Sequence, residues 1–184
     1  MRKVALSKGF PATTVDEICA LAGVTKGSFY HHFDGKDDLG LAALESYFAD
    51  VVVEFGAGGW ADVDDPVARL GAFMAHAADV CTGPVMIGGC LIGSFALDMA
   101  ESSPDLRERM STMFAALRDV VAGLVADAAR SRGRVIDAAQ FGDQFLAVLE
   151  GSIVLAKAHA DPAAPRRGLV LLAQHLDLLL GPSV

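Results

Sequence analysis

Cysteine is scarce in this chain, and its few thiols follow no recognisable pattern. Three cysteines stand at positions 19, 81 and 90. Their spacing matches no zinc-binding sequence, and an odd number cannot complete a set of disulfides. The sequence therefore predicts no metal site and no disulfide framework, which favours a reducing cytoplasm as the location.

Long uninterrupted apolar runs are also missing, although the composition is apolar. Hydrophobic residues make up 53% of the 184 residues, yet no stretch of about 18 residues escapes polar interruption. The first residues lack the basic, apolar and small-residue order of a secretory signal. We therefore expect no membrane span. The apolar excess is expected to serve a ligand cavity and a protein interface.

Motifs typical of catalysis are absent as well. The chain contains no nucleophile elbow, no HExxH or CxxC sequence and no glycine-rich phosphate loop. One alternative function is a small helical enzyme that uses His76, Cys81 or Cys90, but no acidic residues have the spacing of a catalytic pair. We therefore predict a protein that is not an enzyme and needs no cofactor.

Basic charge is deficient overall, but not in the N-terminal segment. The net charge of −8 opposes DNA binding, because contacts to phosphates need lysine and arginine. Residues 1–39 nevertheless carry five basic and five acidic side chains, so the deficit lies in the rest of the chain. If residues 1–39 contact DNA, the acidic remainder would keep the other surfaces of the protein away from it. The same balance predicts modest non-specific affinity for DNA.

Alternating β-branched runs are few, whereas helical apolar spacing recurs along the chain. Beyond residue 36, helices are predicted at about residues 37–56, 66–82, 90–101, 104–130, 137–159 and 165–180, with glycine, proline or capping residues near their ends. The predicted fold class is therefore all-α. We expect a smaller helical domain in residues 1–40 and a larger helical domain in residues 41–184.

Residues 13–33, TTVDEICALAGVTKGSFYHHF, predict two short helices joined by a tight turn. Thr14 and Glu17 have the spacing of a capping box at the first helix start. Gly23 suits the left-handed residue that ends this helix, and Thr25 is a good N-cap for the next one. The second helix carries small, hydroxyl, basic and aromatic side chains on its exposed face, which is suited to enter DNA.

The segment from Thr13 through Leu39 resembles the DNA-binding domain of the tetracycline-repressor (TetR) family. The stretch GFPATTVDEICALAGVTKGSFYHHFDGKDDL follows the family pattern almost position by position and covers roughly one fifth of the chain. The resemblance implies a ligand-responsive transcriptional repressor. Residues 1–40 would be its helix-turn-helix DNA-binding domain, and residues 41–184 its helical ligand-binding and dimerisation domain. Such a repressor binds a double-stranded DNA operator as a homodimer and is released from it by a small-molecule effector.

The resemblance also implies a role for each residue of the pattern. Eight positions would contact DNA: Thr14, Thr25, Lys26, Gly27, Ser28, Tyr30, His31 and Lys36. The two threonines would anchor helix N-termini on phosphates, and the lysine, glycine and serine that follow the second would lie nearest the base edges. Tyr30 and Lys36 would grip the DNA backbone, and His31 would face the groove. Phe29 and Phe33 would hold the recognition helix against its neighbours. Taken singly, these residues are an ordinary capped helix surface, and only their joint pattern favours DNA contact.

One departure from the family pattern concerns the first helix. Only MRKVALSK precedes Gly9 and Phe10, where family members carry a longer helix and a basic arm. Val4 and Leu6 supply only a fragment of the apolar face expected under the reader helices. A truncated chain, a misassigned start and a real short form all predict this pattern. The alternative function is therefore a helical dimer that binds a ligand or partner but has lost DNA binding.

Methionine and phenylalanine residues of the C-terminal region are candidates for an effector cavity, since both line adaptable apolar cavities. The candidate ligand-binding residues are Met74, Met86, Cys90, Phe95, Met113, Phe114 and Leu117. The same pattern is typical of a plain hydrophobic core, so both interpretations stay open.

Cys90 follows two glycines in the segment GGCLIGSFALDMAESSPDLRERM. This segment resembles a TetR subgroup with a GC element at a helix start, some members of which sense electrophiles or oxidants through that thiol. Backbone N–H groups at a helix N-terminus stabilise a thiolate and raise its reactivity. The alternative is a small buried residue beneath a glycine-rich bend.

The last two predicted helices are the candidate dimer surface, and the resemblance implies a four-helix interface between two subunits. The apolar stripes contain Phe145, Leu149, Ser152, Leu155, Ala156 and His159 on one helix and Leu169, Leu172, Leu176 and Leu179 on the other. A single reader helix contacts too few bases for useful specificity, so a two-fold pair is expected. Periodicity alone also allows these stripes to face the core of one subunit.

Overall fold

The computed structural model describes residues 1–181, and over that range the chain is all-α, as the sequence predicts. The helices of the described residues are α1 (Arg2–Lys8), α2 (Val15–Ala22), α3 (Lys26–His32), α4 (Lys36–Gly56), α5 (Pro66–Val80), α6 (Leu91–Met99), α7 (Pro104–Ser131), α8 (Ala138–His159) and α9 (Ala164–Leu180). Short 3-10 turns at Trp60–Asp62 and Pro84–Met86 lie in the connections. The helices predicted beyond residue 36 are present, with small shifts at their ends.

Local sequence explains where α5 and α8 start. Ahead of Pro66, the Asp65 carboxylate accepts a hydrogen bond of 2.7 Å from the backbone N–H of Ala68. The Asp137 carboxylate accepts one of 3.0 Å from the backbone N–H of Gln140 at the start of α8. Each carboxylate satisfies a backbone donor that the first helical turn leaves without a partner.

The described residues group into two compact units. The first unit combines Met1–Ala49 with Gly88–Met113, so α6 and the start of α7 group with the N-terminal helices. The second unit combines Asp50–Ile87 with the described residues from Phe114 onward. The functional division expected at residue 40 concerns binding roles rather than packing, and it stays a prediction.

Phe10 is a central residue of the first unit. Its ring is fully buried, and the ring centroid lies 4.5 Å from that of Phe95 on α6. Its backbone N–H donates a hydrogen bond of 3.0 Å to the Asp98 carboxylate, also on α6. Gly40 on α4 makes room for the ring, because a Cβ there would lie 2.9 Å from Phe10 Cζ. These contacts attach the segment between α1 and α2 to α4 and α6.

An aromatic cluster around Phe73 lies in the second unit. The Phe73 ring contacts the rings of Phe55, Trp60 and Phe145, with centroid distances of 6.4, 5.2 and 6.0 Å. The indole N–H of Trp60 donates a hydrogen bond of 2.7 Å to the Phe55 carbonyl. The cluster joins α4, α5 and α8 to the 3-10 turn that follows α4.

The structure corrects most of the dimer stripe expected on α8 and α9. The stripe members that are buried within the subunit are Phe145, Leu149, Ser152, Leu169, Leu172 and Leu176. They face inward because α8 packs on α9 and α9 packs on α5. Leu155 and Leu179 are exposed, as is His159, while Ala156 is half-buried. The large apolar residues that α8 and α9 leave exposed are Val154, Leu155, Val170, Leu171, Leu178 and Leu179.

Within residues 1–181, no single helix combines the length and the apolar content needed to cross a membrane. Pro66–Val80 and Pro84–Met99 reach both only when they are counted together as a bent pair.

Candidate nucleic-acid interface

The start of α2 is a capping box, as the sequence predicts. The backbone N–H of Glu17 donates to Thr14 Oγ1 at 3.3 Å, and the Glu17 carboxylate accepts from the Thr14 N–H at 3.0 Å. Gly23 follows the last residue of α2 with a φ of 68°, a left-handed value that glycine adopts without steric cost. Local sequence therefore sets both ends of α2.

The start of α3 is capped by Thr25, whose Oγ1 accepts a hydrogen bond of 3.1 Å from the backbone N–H of Ser28. Phe29 faces inward with 4% of its surface exposed, and its ring centroid lies 5.5 Å from that of the half-buried Phe33. Tyr30 faces outward and is 57% exposed. One side of α3 is thus packed, and the other is open to solvent.

Every position at the start of and along α3 that the sequence assigns to DNA is exposed: Thr25, Lys26, Gly27, Ser28, Tyr30 and His31. Thr14 is exposed as well. His32, which the sequence analysis did not assign to DNA, is also exposed, and its ring centroid lies 4.9 Å from that of His31. The sequence signal that could have indicated an exposed His32 is its position directly after His31. DNA contact by these residues stays a prediction.

Lys36 contacts the protein itself. Its Nζ donates to the carbonyls of Phe10 and Pro11, both at 3.1 Å, and lies 4.7 Å from the centroid of the Phe10 ring. These contacts hold the segment that leads into α2. The predicted phosphate contact of Lys36 would have to replace or share them, and it stays a prediction.

Two ion pairs lie beside the capping box and the start of α3. Lys8 Nζ lies 2.5 Å from the Glu17 carboxylate, and Lys26 Nζ lies 2.7 Å from Asp16 Oδ1. The hydrogen bond from Lys8, followed by those from Thr14, lowers the pKa of Glu17 to about 2. The hydrogen bond to Asp16 raises the pKa of Lys26. Both lysines therefore already have a carboxylate partner within the protein, which the sequence analysis missed because spacing alone does not show it.

Two family models match the chain. Residues 66–171 match the model described as tetracyclin repressor-like, C-terminal domain, and residues 2–43 match that of bacterial regulatory proteins, tetR family. The chain belongs to the TetR family. The N-terminal match covers α1, α2, α3 and the start of α4, and so includes the capped helix pair.

Curated relatives of this TetR-family chain are transcriptional regulators. The HTH-type transcriptional repressor DhaR of Mycobacterium sp. (strain GP1) is 31% identical over 116 residues, which are 61% of this chain and 54% of that protein. Transcriptional regulator AcuR of Cereibacter sphaeroides is 38% identical over 104 residues, which are 54% of this chain and 46% of that protein. The chain thus spans about half the length of the curated relatives that it matches.

A solved structure shares the fold over most of the TetR-family chain. The regulatory protein TetR from Rhodobacter sphaeroides has a TM-score of 0.77 and 28% sequence identity, and the match covers 93% of this chain and 92% of that one. An N-terminal helix-turn-helix followed by a helical C-terminal domain is therefore the fold of this chain.

The predicted ligand-binding residues of the TetR-family chain are divided between the two units. Those in the first unit are buried: Cys90, Phe95 and Met113. Those in the second unit are the buried Met74 and Met86 and the half-buried Phe114 and Leu117. The lining of a cavity and ordinary core packing both produce such burial, so the effector role stays a prediction.

The thiols and the histidine proposed for an enzyme have structural contacts. Cys90 is the N-cap of α6, where its Sγ accepts from the Gly93 N–H at 3.5 Å, and it is 6% exposed. Burial raises the pKa of Cys81 to about 11, which keeps that thiol protonated and weakly nucleophilic at neutral pH. His76 Nε2 lies 2.7 Å from the Glu54 carbonyl. These contacts give the enzyme alternative no support.

Proposed function

We propose that the protein is a homodimeric transcriptional repressor that acts in the cytoplasm. It binds a double-stranded DNA operator and leaves it when a small apolar or electrophilic effector binds. One observation supports the proposal most directly: α2 and α3 both begin at capped residues, and α3 leaves one face exposed to solvent. Membership of the TetR family supports it, and the relative DhaR is named as a repressor.

In this proposal α3 is the recognition helix that enters the major groove. Lys26 and Ser28 would face base edges, and lysine is suited to donate to guanine O6 and N7. Gly27 would let the backbone approach the DNA, with Tyr30 and His31 reaching the sugar-phosphate backbone and the groove. The hydroxyls of Thr14 and Thr25 and the ammonium of Lys36 would contribute phosphate contacts, which set orientation rather than sequence preference.

The proposed dimer forms through α8 and α9. Its contact surface is the exposed apolar face of these helices: Val154, Leu155, Val170, Leu171, Leu178 and Leu179. Several large apolar side chains left exposed on one pair of packed helices are typical of a protein interface. A two-fold pair of readers would reach successive major grooves and so supply the specificity that one short helix lacks.

The effector is proposed to bind in the helical region that follows the helix-turn-helix, with Cys90 as the thiol that an electrophile would modify. Release from DNA requires that the effector prefer the state that does not fit the operator. A thermal-shift screen of small apolar and reactive compounds tests this, since a compound that prefers the folded protein raises its Tm. Compounds that raise the Tm and displace labelled DNA support release, and compounds that raise the Tm without displacing DNA contradict it.

Fluorescence anisotropy with the DNA that flanks the protein's own coding region tests operator binding. Tyr30→Ala removes an exposed side chain of α3, and we expect its affinity to fall at least about tenfold because a direct DNA contact is lost. Val135→Ala, at a fully exposed position between α7 and α8, should bind like the unaltered protein. Effector binding without binding to any flanking duplex would instead favour the ligand-binding dimer that does not read DNA.

A further inference from the structure

Asp16 lies against the lysine that is nearest the proposed base-reading surface. Asp16 is in the first turn of α2, Lys26 is the first residue of α3, and the two side chains meet at 2.7 Å. They are 68% and 60% exposed, respectively, so the pair lies on the surface and not in the core. In the DNA-free protein the Lys26 ammonium is therefore paired with the Asp16 carboxylate.

The Asp16–Lys26 pair differs from the neighbouring lysine contacts. Glu17, which pairs with Lys8, is also part of the capping box of α2. Lys36 donates to two backbone carbonyls ahead of α2. The capping hydrogen bonds of α2 and α3 use neither the Asp16 nor the Lys26 side chain. This pair can therefore open without disturbing either helix start.

We propose that Asp16 sets DNA specificity by competing with DNA for Lys26, an inference that rests on the proposed function. On non-cognate DNA, Lys26 gains little from a phosphate, because Asp16 already neutralises it and repels the same phosphate. At a matching site, guanine O6 and N7 replace the Asp16 carboxylate as acceptors for the ammonium. Asp16 thus lowers sequence-independent affinity more than it lowers operator affinity.

The test compares two DNA probes. One is the duplex that the unaltered protein recovers by selection from a random-sequence pool, and the other is a scrambled duplex of the same composition. Asp16→Asn removes the charge and keeps the size of the side chain, so we expect tighter binding to the scrambled duplex and a lower ratio of selected to scrambled affinity. For Asp16→Asn on the scrambled duplex, the slope of log affinity against log salt concentration should steepen by about 0.9 per subunit, or about 1.8 per dimer. The gain on scrambled DNA should therefore shrink roughly tenfold between about 50 and 200 mM salt.

Two controls separate the action of Asp16 on Lys26 from a general change of charge. Asp105→Asn makes the same charge change at an exposed first-turn position of α7, and we expect the slope and the ratio to stay unchanged. In a Lys26→Gln background, Asp16→Asn should lose most of its effect, because the two side chains act as a coupled pair. An equal gain with and without Lys26 would overturn the inference.

The outcomes also separate this inference from the proposed function. If the unaltered protein recovers and binds a selected duplex, but Asp16→Asn changes neither slope nor ratio, the role of Asp16 is wrong and the proposed function stands. If the protein recovers no duplex at all, both are wrong.

Discussion

Phe10 shows how a single residue connects the segment between α1 and α2 to the rest of the first unit. Its N–H donates to Asp98, its carbonyl accepts from Lys36, and its ring packs against Phe95. Gly9 precedes it with a φ of 86°, and a Cβ at Gly9 would lie 3.2 Å from Asp98 Oδ2. Glycine is therefore needed there both for its backbone conformation and for space.

Asp98→Ala tests the contribution of the α6 carboxylate to this connection. The substitution leaves the Phe10 N–H without its acceptor, and we expect the free energy of unfolding to fall by about 1–2 kcal/mol. Asp98→Asn is the control, because its amide oxygen can still accept the bond. Urea unfolding followed by circular dichroism measures both, and an equal loss for the two variants would contradict the hydrogen-bond explanation.

Ionisation of Glu17 makes the stability of the helix-turn-helix depend on pH in the acid range. Its pKa is lowered from 4.5 to about 2, chiefly by the hydrogen bond from Lys8, so folding favours the ionised carboxylate. The stabilisation is present above the unfolded pKa near 4.5 and is lost as the pH falls through about 2. We expect the ¹³C chemical shift of the Glu17 carboxyl carbon to titrate well below that of an ordinary glutamate. A Lys8→Met variant should move the midpoint upward, and an unmoved midpoint would show that Lys8 is not the cause.

At the scale of secondary-structure elements, α8 and α9 depend on a small residue at their contact. A Cβ on Gly168 would lie 2.6 Å from Ser152 Oγ and 3.2 Å from Val148 Cγ1. The Ser152 hydroxyl is itself held by a hydrogen bond to the Val148 carbonyl. The two helices approach closely at this point because neither side chain there is large.

Gly168→Ala is expected to lower the free energy of unfolding by about 1–3 kcal/mol, since the added methyl group overpacks the α8–α9 contact. Gly123→Ala on α7 is the matched control, because apart from its chain neighbours and its own helix backbone no atom lies within 4 Å of the added Cβ. That control should be neutral or stabilising by up to about 1 kcal/mol, as alanine favours a helix over glycine. Adding Ser152→Ala should recover part of the Gly168→Ala loss, and equal effects of the two glycine substitutions would contradict the packing argument.

At the scale of the whole molecule, the distribution of charge and of exposed apolar surface is consistent with the proposed dimer, in which two helix-turn-helix domains belong to one acidic particle. The chain has a net charge of −8, while residues 1–39 are balanced. Apolar side chains remain exposed on α8 and α9, including Leu171 at 66% and Leu178 at 81%. Association through this face would cover apolar surface and would place two readers in one particle.

Leu178→Glu tests the proposed interface, because it places a charge in the exposed apolar face and leaves the core untouched. We expect sedimentation velocity to show monomers at concentrations where the unaltered protein is a dimer, with the helical circular dichroism spectrum retained and a lower Tm, since association stabilises the folded state. Leu97→Glu is the matched control, since Leu97 lies on α6 and is 82% exposed. A dimer that persists in Leu178→Glu, or dissociates equally in Leu97→Glu, would contradict the assignment of the interface.

Spacing along the chain was sufficient to predict features that depend on hydrogen bonds between near neighbours. The caps at Thr14 and Thr25 and the left-handed Gly23 are present as their residue types indicate. Each depends on groups only a few residues apart, so residue type and spacing carry the information. The all-α class follows in the same way from apolar periodicity.

Packing between distant segments was not predictable from spacing. Periodicity places Leu176 and Leu178 on different faces of α9, but it does not say which face is buried; the packing of α5 and α8 against α9 leaves Leu176 2% exposed and Leu178 81% exposed. Lys36 meets carbonyls that lie 25 and 26 residues away, and Asp16 meets Lys26 across the turn between two helices. Such contacts depend on how helices cross in three dimensions, which the period of a single helix does not specify.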